Sequence, residues 1–278
     1  MKLYKTRRGI LIHCDDSYYL LSDISWDEFV NDDDLFDKIL EATNSNSAIS
    51  SGPEIIATEL LAPIQSQEIW ASGVTYYRSR VGRQEESKES GGGDFYARVY
   101  EAERPELFFK APAHRTVGPG GKVRIRRDSV WDVPEPELTL LITSSGKIVG
   151  YTIGNDMSSR SIEGENPLYL PQAKSYDGCA SIGPCIYVSR EPLSLDTLIT
   201  LDILRNNVKV FEGETELSQI KRKLTDLVSY LYRECSFPYG SLLMTGTGIV
   251  PGPDFTLQKN DEIRITIGPI GTLINFVE

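Results

Sequence analysis

The segment from Trp131 to Arg160, WDVPEPELTLLITSSGKIVGYTIGNDMSSR, gathers three carboxylates at one end of an expected β-hairpin. Glu135 and Glu137 are two residues apart, so in an extended strand both side chains point to one face. Leu138 to Ile142 is a short apolar run, Ser144-Ser145-Gly146-Lys147 reads as a turn, and Ile148 to Ile153 reads as the returning strand. With the turn centred near Ser145, antiparallel pairing brings Asn155 and Asp156 back beside Glu135. Acidic side chains crowded on one face repel unless something positive lies among them, and a hard divalent cation takes oxygen ligands of this kind. The residues alone leave two readings open: a cation site, or the solvated face of a half-buried strand. Pro134 and Pro136, which cannot donate to a ladder, add weight to the first without deciding it.

The elements that must position these groups follow from the rest of the chain. At 278 residues it can bury a large core, as one big domain or as a small unit attached to a larger one. The opening strands, RRGILIHC and SYYLLSDI, suggest a hairpin closed around Asp15-Asp16, and Asp34 to Ala42 has helical spacing. Asn44 to Pro53 reads as a surface loop. A boundary near Leu61-Ala62-Pro63 divides a small N-terminal α/β domain, residues 1–65, from a catalytic domain, residues 66–278. Strand-like runs dominate from Ile69 onward. Ser218 to Glu234 reads as the clearest helix, capped by Ser218, with Ile220, Leu224, Leu227, Val228 and Leu231 as its core-packing stripe. Ile263, Ile265 and Ile267 alternate before Gly268 to Gly271 and a last strand. Gly82 to Asp94 is polar and ends in three glycines; it suits an ordinary loop or a lid over a site. It precedes Phe95 to Lys110, an apolar stretch carrying Glu106 and Lys110.

Composition excludes several classes. A net charge of −11 argues against a nucleic-acid partner, and Arg124, Arg126 and Arg127 read as surface charges on a strand. The start has no apolar core long enough for a signal peptide, and no stretch approaches the roughly 18 apolar residues of a membrane span. Cys14, Cys179, Cys185 and Cys235 have neither zinc-type spacing nor a disulfide framework, so a cytoplasmic protein with reduced thiols is expected.

Over about residues 68–275 the chain resembles the fumarylacetoacetate hydrolase superfamily. The resemblance rests on SGVTYYRSR (72–80), RPELFFKAP (104–112), PEPEL (134–138), GYTIGNDMSSR (150–160), PQAKSYDGC with IGP (171–184), and TGTGIVPG (245–252). PEPEL, GENPLYLPQ (164–172) and the last motif are most similar to the superfamily's sugar-acid dehydratases. The resemblance implies an α+β, mostly β fold, a mixed β-roll wrapped around a metal-containing cleft, with a small N-terminal domain. It implies Mg2+, replaceable by Mn2+ or Ca2+, held by Glu135, Glu137 and Asp156. Glu106 and Lys174 would line the substrate site, and Thr247 would contact the substrate; Tyr76 and Lys110, within the motifs, are assigned to the substrate as well. A homodimer or homotetramer is implied.

One departure bears on the reaction. Hydrolases of the superfamily commonly carry N-Y-x-x-H-x-x-E, whose His and Glu activate water. Here Ser79 stands at the His position and Gly82 at the Glu position. General acid–base groups typically contribute about 10²–10⁴-fold, so carbon–carbon hydrolysis is disfavoured. Ser161 stands where the family often has Asp. The activity implied is dehydration of a 2-keto-3-deoxy sugar acid, such as 2-keto-3-deoxy-D-arabinonate to 2,5-dioxopentanoate. A 2-keto acid chelates a divalent cation, which acidifies C3–H and stabilises the enolate. Either Glu106 or Lys174 is the base and the other helps the C4 hydroxyl leave; apolar neighbours are expected to raise the Glu106 pKa. The competing readings are a hydrolase of acylpyruvates or 2,4-diketo acids, an isomerase or decarboxylase of keto-enols, and a non-catalytic binding protein.

Overall fold

The hairpin expected around the carboxylates forms the middle of a large sheet. In the computed structural model, which describes residues 1–86 and 93–278, its arms are Pro136–Ile142 and Ile148–Asp156. The turn between them closes where expected: Gly146 adopts φ +86° and donates its N–H to the Thr143 carbonyl at 2.9 Å. Only glycine enters that region without strain.

Among the described residues, nine strands form a continuous path in this sheet. The order is Ser17–Leu21, Gly9–Cys14, Lys2–Thr6, Ala180–Tyr187, Ile148–Asp156, Pro136–Ile142, Ser241–Met244, Glu68–Gly73 and Glu106–Pro112. A tenth, Thr116–Val117, runs parallel beside Ala180–Tyr187. A second sheet has the order Val208–Glu216, Leu198–Arg205, Glu262–Ile267, Gly271–Val277 and Lys122–Val123. The alternation of the hairpin arm decides how the layers stack. Leu138, Leu140 and Ile142 point into a core shared with Ile199, Leu201, Ile263 and Ile265 of the second sheet. Leu141 points the other way, into a core closed by Trp26, Phe29, Leu35 and Ile39. That second face also bears Glu135 and Glu137, so the chain buries its charges on the side covered by the N-terminal helices and the loops beyond them. The mixed, mostly β architecture is the one expected.

The N-terminal segment contains the expected hairpin, with Asp15 and Asp16 in the turn at φ 45° and 64°. A further strand, Lys2–Thr6, joins it to the large sheet through the pairs Lys2↔Tyr187 and Leu3↔Ile186. The helices Leu35–Ser45 and Gly52–Glu59 follow. Residue 65 falls in the link between the latter and Glu68–Gly73. The expected helix from Ser218 to Glu234 is shorter: only Leu224–Leu231 is α-helical. Its start is lost because Ile220 bridges to Tyr76 and the Lys221 N–H donates to the Thr75 carbonyl at 3.0 Å, which takes those groups out of a helical ladder. Leu227, Val228 and Leu231 still pack in the core. The strand expected through Arg124 to Arg127 ends at Val123; Arg126 instead grips Asp128 at 2.6 and 2.8 Å. Part of the segment at 82–94 lies outside the described residues. Among those described, no helix is long and apolar enough to cross a membrane.

Candidate active site

Hairpin register sets the carboxylates. Pro136 pairs with Asn155 and Glu137 with Gly154, and the Asp156 N–H donates to the Glu135 carbonyl at 3.0 Å. Glu135 therefore faces Asp156 across the ladder, with Glu137 two residues further in on the same face. Gly154 keeps the space beside Glu137 clear; a Cβ there would lie 2.3 Å from Thr139 Oγ1. One oxygen from each of Glu135, Glu137 and Asp156 lies within 4.8 Å of the others, and all three residues are buried.

Three cations and one backbone amide hold this cluster. Lys174 Nζ, at the end of the helix Leu170–Lys174, is 2.6 Å from Glu135 Oε2, 3.1 Å from Asp156 Oδ2 and 2.5 Å from Ser158 Oγ. Arg160 Nη2 donates to Glu135 Oε1 at 2.6 Å. Lys110 Nζ meets Asp156 Oδ1 at 2.5 Å and the Met157 carbonyl at 2.9 Å. The Gly246 N–H donates to Glu137 Oε2 at 2.6 Å. Burial pushes the Glu137 carboxyl well above its ordinary range, and the charges of Asp156 and Glu135 push it the same way. Like charges so close, and so far from water, call for more positive charge. The all-oxygen donor set, fixed at one end of a rigid sheet, fits a hard divalent cation.

A cavity of about 300 Å³, including the space open to solvent, adjoins the cluster. Glu135, Glu137, Asp156, Lys174 and Thr247 are all on its wall. Thr247 is set by a tight turn in which its Oγ1 accepts from the Ile249 N–H at 3.1 Å. Glu106 is not on that wall but stands against it from the neighbouring strand pair: it sits opposite Gly73, and a Cβ on Gly73 would lie 1.9 Å from Glu106 Oε2. Only a glycine at 73, itself on the cavity wall, leaves room for that carboxylate.

Two residues expected at the substrate stand behind the wall. Lys110 is fully buried beneath Asp156, where its ammonium orients a carboxylate and is closed off from the cavity by it. Tyr76 is also fully buried, and its hydroxyl has no hydrogen-bond partner among the described residues. Burial, then the Glu137 charge, raises its pKa above the ordinary phenol value. Ser79, at the water-activating His position, lies on the cavity wall with its hydroxyl tied to its own turn, donating to the Tyr76 carbonyl at 2.7 Å. His13 stacks on Tyr18 with centroids 4.4 Å apart, and neither it nor His114 lines the cavity. Ser161 holds a loop together, its Oγ accepting from the N–H groups of Val130 and Trp131 at 3.1 and 2.9 Å.

Sequence reasoning missed Arg160, Ser158 and Glu163. Arg160 and Glu163 stand at i and i+3 in the helix Arg160–Glu165 and pair at 3.3 Å, a spacing readable from the sequence. Their link to Glu135 and Lys174 is tertiary and leaves no local signal.

Comparison with known proteins places this geometry in a family. Residues 68–278 match the family described as fumarylacetoacetate (FAA) hydrolase C-terminal. A probable 2-keto-3-deoxyxylonate dehydratase of Haloferax volcanii is 49% identical over 218 residues, covering 77% of this chain and 73% of that protein. The 2-dehydro-3-deoxy-D-arabinonate dehydratase of Saccharolobus solfataricus is 47% identical over 220 residues, covering 78% and 73%. Among solved structures, 2-keto-3-deoxy-D-arabinonate dehydratase complexed with magnesium and 2,5-dioxopentanoate superposes with a TM-score of 0.86 at 35% identity, covering 100% of this chain and 99% of that one.

Proposed function

The chain belongs to the fumarylacetoacetate hydrolase family, and from that premise we propose that it is a magnesium-dependent hydro-lyase that converts 2-keto-3-deoxy-D-arabinonate to 2,5-dioxopentanoate and water. The observation that carries the reading is the buried Glu135–Glu137–Asp156 cluster with Lys174 on the wall of one small cavity. The three carboxylates would hold the metal. When bound, a hard divalent cation supplies Lewis-acid polarisation of the keto oxygen and offsets the charge that develops as C3 loses its proton.

The protein's own groups do the rest. Lys174 is encircled by carboxylates, which keep it an ammonium, a donor with no lone pair to offer. It therefore holds the substrate carboxylate or supplies the proton with which the C4 hydroxyl departs as water. Glu106, packed against Gly73 of the cavity wall, takes the C3 proton. Loss of the C3 proton and the C4 hydroxyl leaves a C3=C4 double bond conjugated to the keto group, with the C5 alcohol intact. Moving one proton from C5 to C3 gives the C4=C5 enol, and moving its hydroxyl proton to C4 gives the C5 aldehyde, so the sequence is redox-neutral and no oxidant is needed. The absence of a histidine from the described cavity wall and the engaged Ser79 hydroxyl weigh against the acylpyruvate hydrolase alternative. Its four unpaired cysteines suit the cytoplasm, where the enzyme would work as a homodimer or homotetramer.

Turnover of 2-keto-3-deoxy pentonates with Mg2+, followed by mass spectrometry, tests the reading. The expected product has lost one water and kept every carbon; two shorter acids would overturn it in favour of hydrolysis. Glu106→Gln and Lys174→Met should each slow turnover by about 10²–10⁴-fold, and near-wild-type rates in both would remove the acid–base assignment.

A further inference from the structure

Glu163 has no part in that scheme, yet its side chain is 1% exposed and faces two of the cations of the site. Its Oε2 lies 3.3 Å from Arg160 Nη1, and Arg160 in turn grips Glu135. Its Oε1 lies 3.4 Å from Lys174 Nζ. Of the oxygens named here around Lys174 Nζ, that of Glu163 is more distant than those of Glu135, Asp156 and Ser158. An ammonium has three hydrogens to give, and the 3.4 Å contact with Glu163 adds a charge–charge attraction to the three shorter ones. Two of the three closer partners, Glu135 and Asp156, belong to the metal-binding cluster proposed above. An oxygen lone pair given to a divalent cation is lost to the ammonium, and the cation's own charge repels Lys174. Ser158 and Glu163 lie outside the cluster and keep their lone pairs.

We propose that Glu163 is a positioning residue: with Ser158 it keeps the Lys174 ammonium at the cavity wall once Glu135 and Asp156 are engaged by a divalent cation, while Arg160 fixes its orientation. The inference rests on the dehydratase reading for what Lys174 does there, and on the structure for where it sits. The test compares wild type with Glu163→Gln and Glu163→Asp, by turnover of 2-keto-3-deoxy-D-arabinonate, calorimetric titration with magnesium chloride alone, and crystals of each protein loaded with Mg2+. Small displacements of a reacting group cost up to about 100-fold, so kcat should fall about 10–100-fold in Glu163→Gln. KM and magnesium affinity should move much less than kcat, and Glu163→Asp should recover part of the rate. Lys174 Nζ should be withdrawn from the cavity in the magnesium-loaded Gln variant. Unchanged kcat, an equal loss of magnesium affinity and kcat, or Lys174 in one position in both crystals would each overturn the assignment. If Glu163→Gln does not fold, Glu163→Asp carries the same comparison, with a severalfold loss of kcat expected and no loss fatal. If the wild type itself turns over no keto acid, the dehydratase reading fails. The Glu163 assignment is then decided by the magnesium-loaded crystals alone.

Discussion

The two ends of one hairpin border two very different cavities. At the turn end, Ser145 to Val149, Tyr151 and the helix Leu224–Leu231 line a groove of about 1210 Å³, open to solvent and largely apolar. At the other end, the carboxylate cluster borders a space of about 300 Å³. The larger space carries no buried charge on its lining; the smaller carries five charged side chains, Glu135, Glu137, Asp156, Arg160 and Lys174. Carboxylates at the two ends also respond in opposite directions. Asp33, near the turn, is held below its ordinary pKa by hydrogen bonds from Thr143, then Ser145, whereas burial drives Glu137 up. An exposed carboxylate with two hydroxyl donors is comfortable in the fold. A buried one among like charges costs several kcal/mol unless paired, so its presence marks a place where folding is not the only requirement. Charge that the fold has trouble keeping locates the chemistry better than volume does.

The sharpest way to break this comparison is to alter both ends in parallel. Glu137→Ala removes one carboxylate and should lower magnesium affinity by more than the 10–100-fold typical of losing an outer-shell partner. Metal polarisation contributes several kcal/mol, and each ~1.4 kcal/mol is tenfold, so kcat/KM should fall by about 10³ or more. Ser229→Lys puts a new cation on the exposed face of the helix beside the larger groove. Distant sites act independently, so activity and magnesium affinity should stay within about twofold of wild type. Calorimetry and steady-state kinetics on both proteins decide it; comparable losses in the two would erase the distinction between the ends.

A smaller effect separates the metal cluster from the proton-transfer group. Gly73→Ala places a methyl 1.9 Å from Glu106 Oε2 in the present arrangement, so the carboxylate must move. The expected result is a kcat loss of about 10–100-fold with magnesium affinity unchanged by calorimetry. A parallel fall in metal affinity would mean that the strand pair supports the cluster itself, and Glu106 would lose its separate role.

How much of this was legible in the sequence depends on the range of the interaction. Glu135, Glu137 and Asp156 could be read because a period of two and one turn, both local, fix their meeting. The family motifs also singled out Lys174 and Thr247, which line the cavity, and Glu106, which packs against Gly73 of its wall. Lys110 shares a motif with them but belongs under Asp156, because strand alternation sets its face and only the packed sheet reveals what occupies that face. The helix expected from Ser218 falls short for a similar reason: its apolar stripe is real, yet the backbone groups of Ile220 and Lys221 are claimed by Tyr76 and Thr75, some 145 residues earlier in the chain. Lys2–Thr6 pairs locally with Gly9–Cys14, but its attachment to the large sheet leaves no local sign because the strand on its other side begins at Ala180.

The mildest prediction concerns the desolvation cost at the charged end, taken apart from the metal. Asp132 lies in the short strand Asp132–Val133, which pairs with Ser158–Ser159 just after Asp156, and it is 2% exposed. Burial raises its carboxyl to about 6, against opposing hydrogen bonding from Ser129 and the nearby Arg126. An unfolded aspartate titrates near 3.9, so between about pH 4 and 6 the native chain keeps a proton that the unfolded chain has lost. Native stability from this group is then fully present below pH 4 and falls as the pH rises through 6. Asp132→Asn does not titrate. Its stability relative to wild type should therefore improve by about 1–3 kcal/mol between pH 4 and pH 7.5, measured by urea unfolding without magnesium. A difference that stays constant across that range would mean that Asp132 is well solvated or well paired, and that the cost of buried charge is confined to the cluster itself.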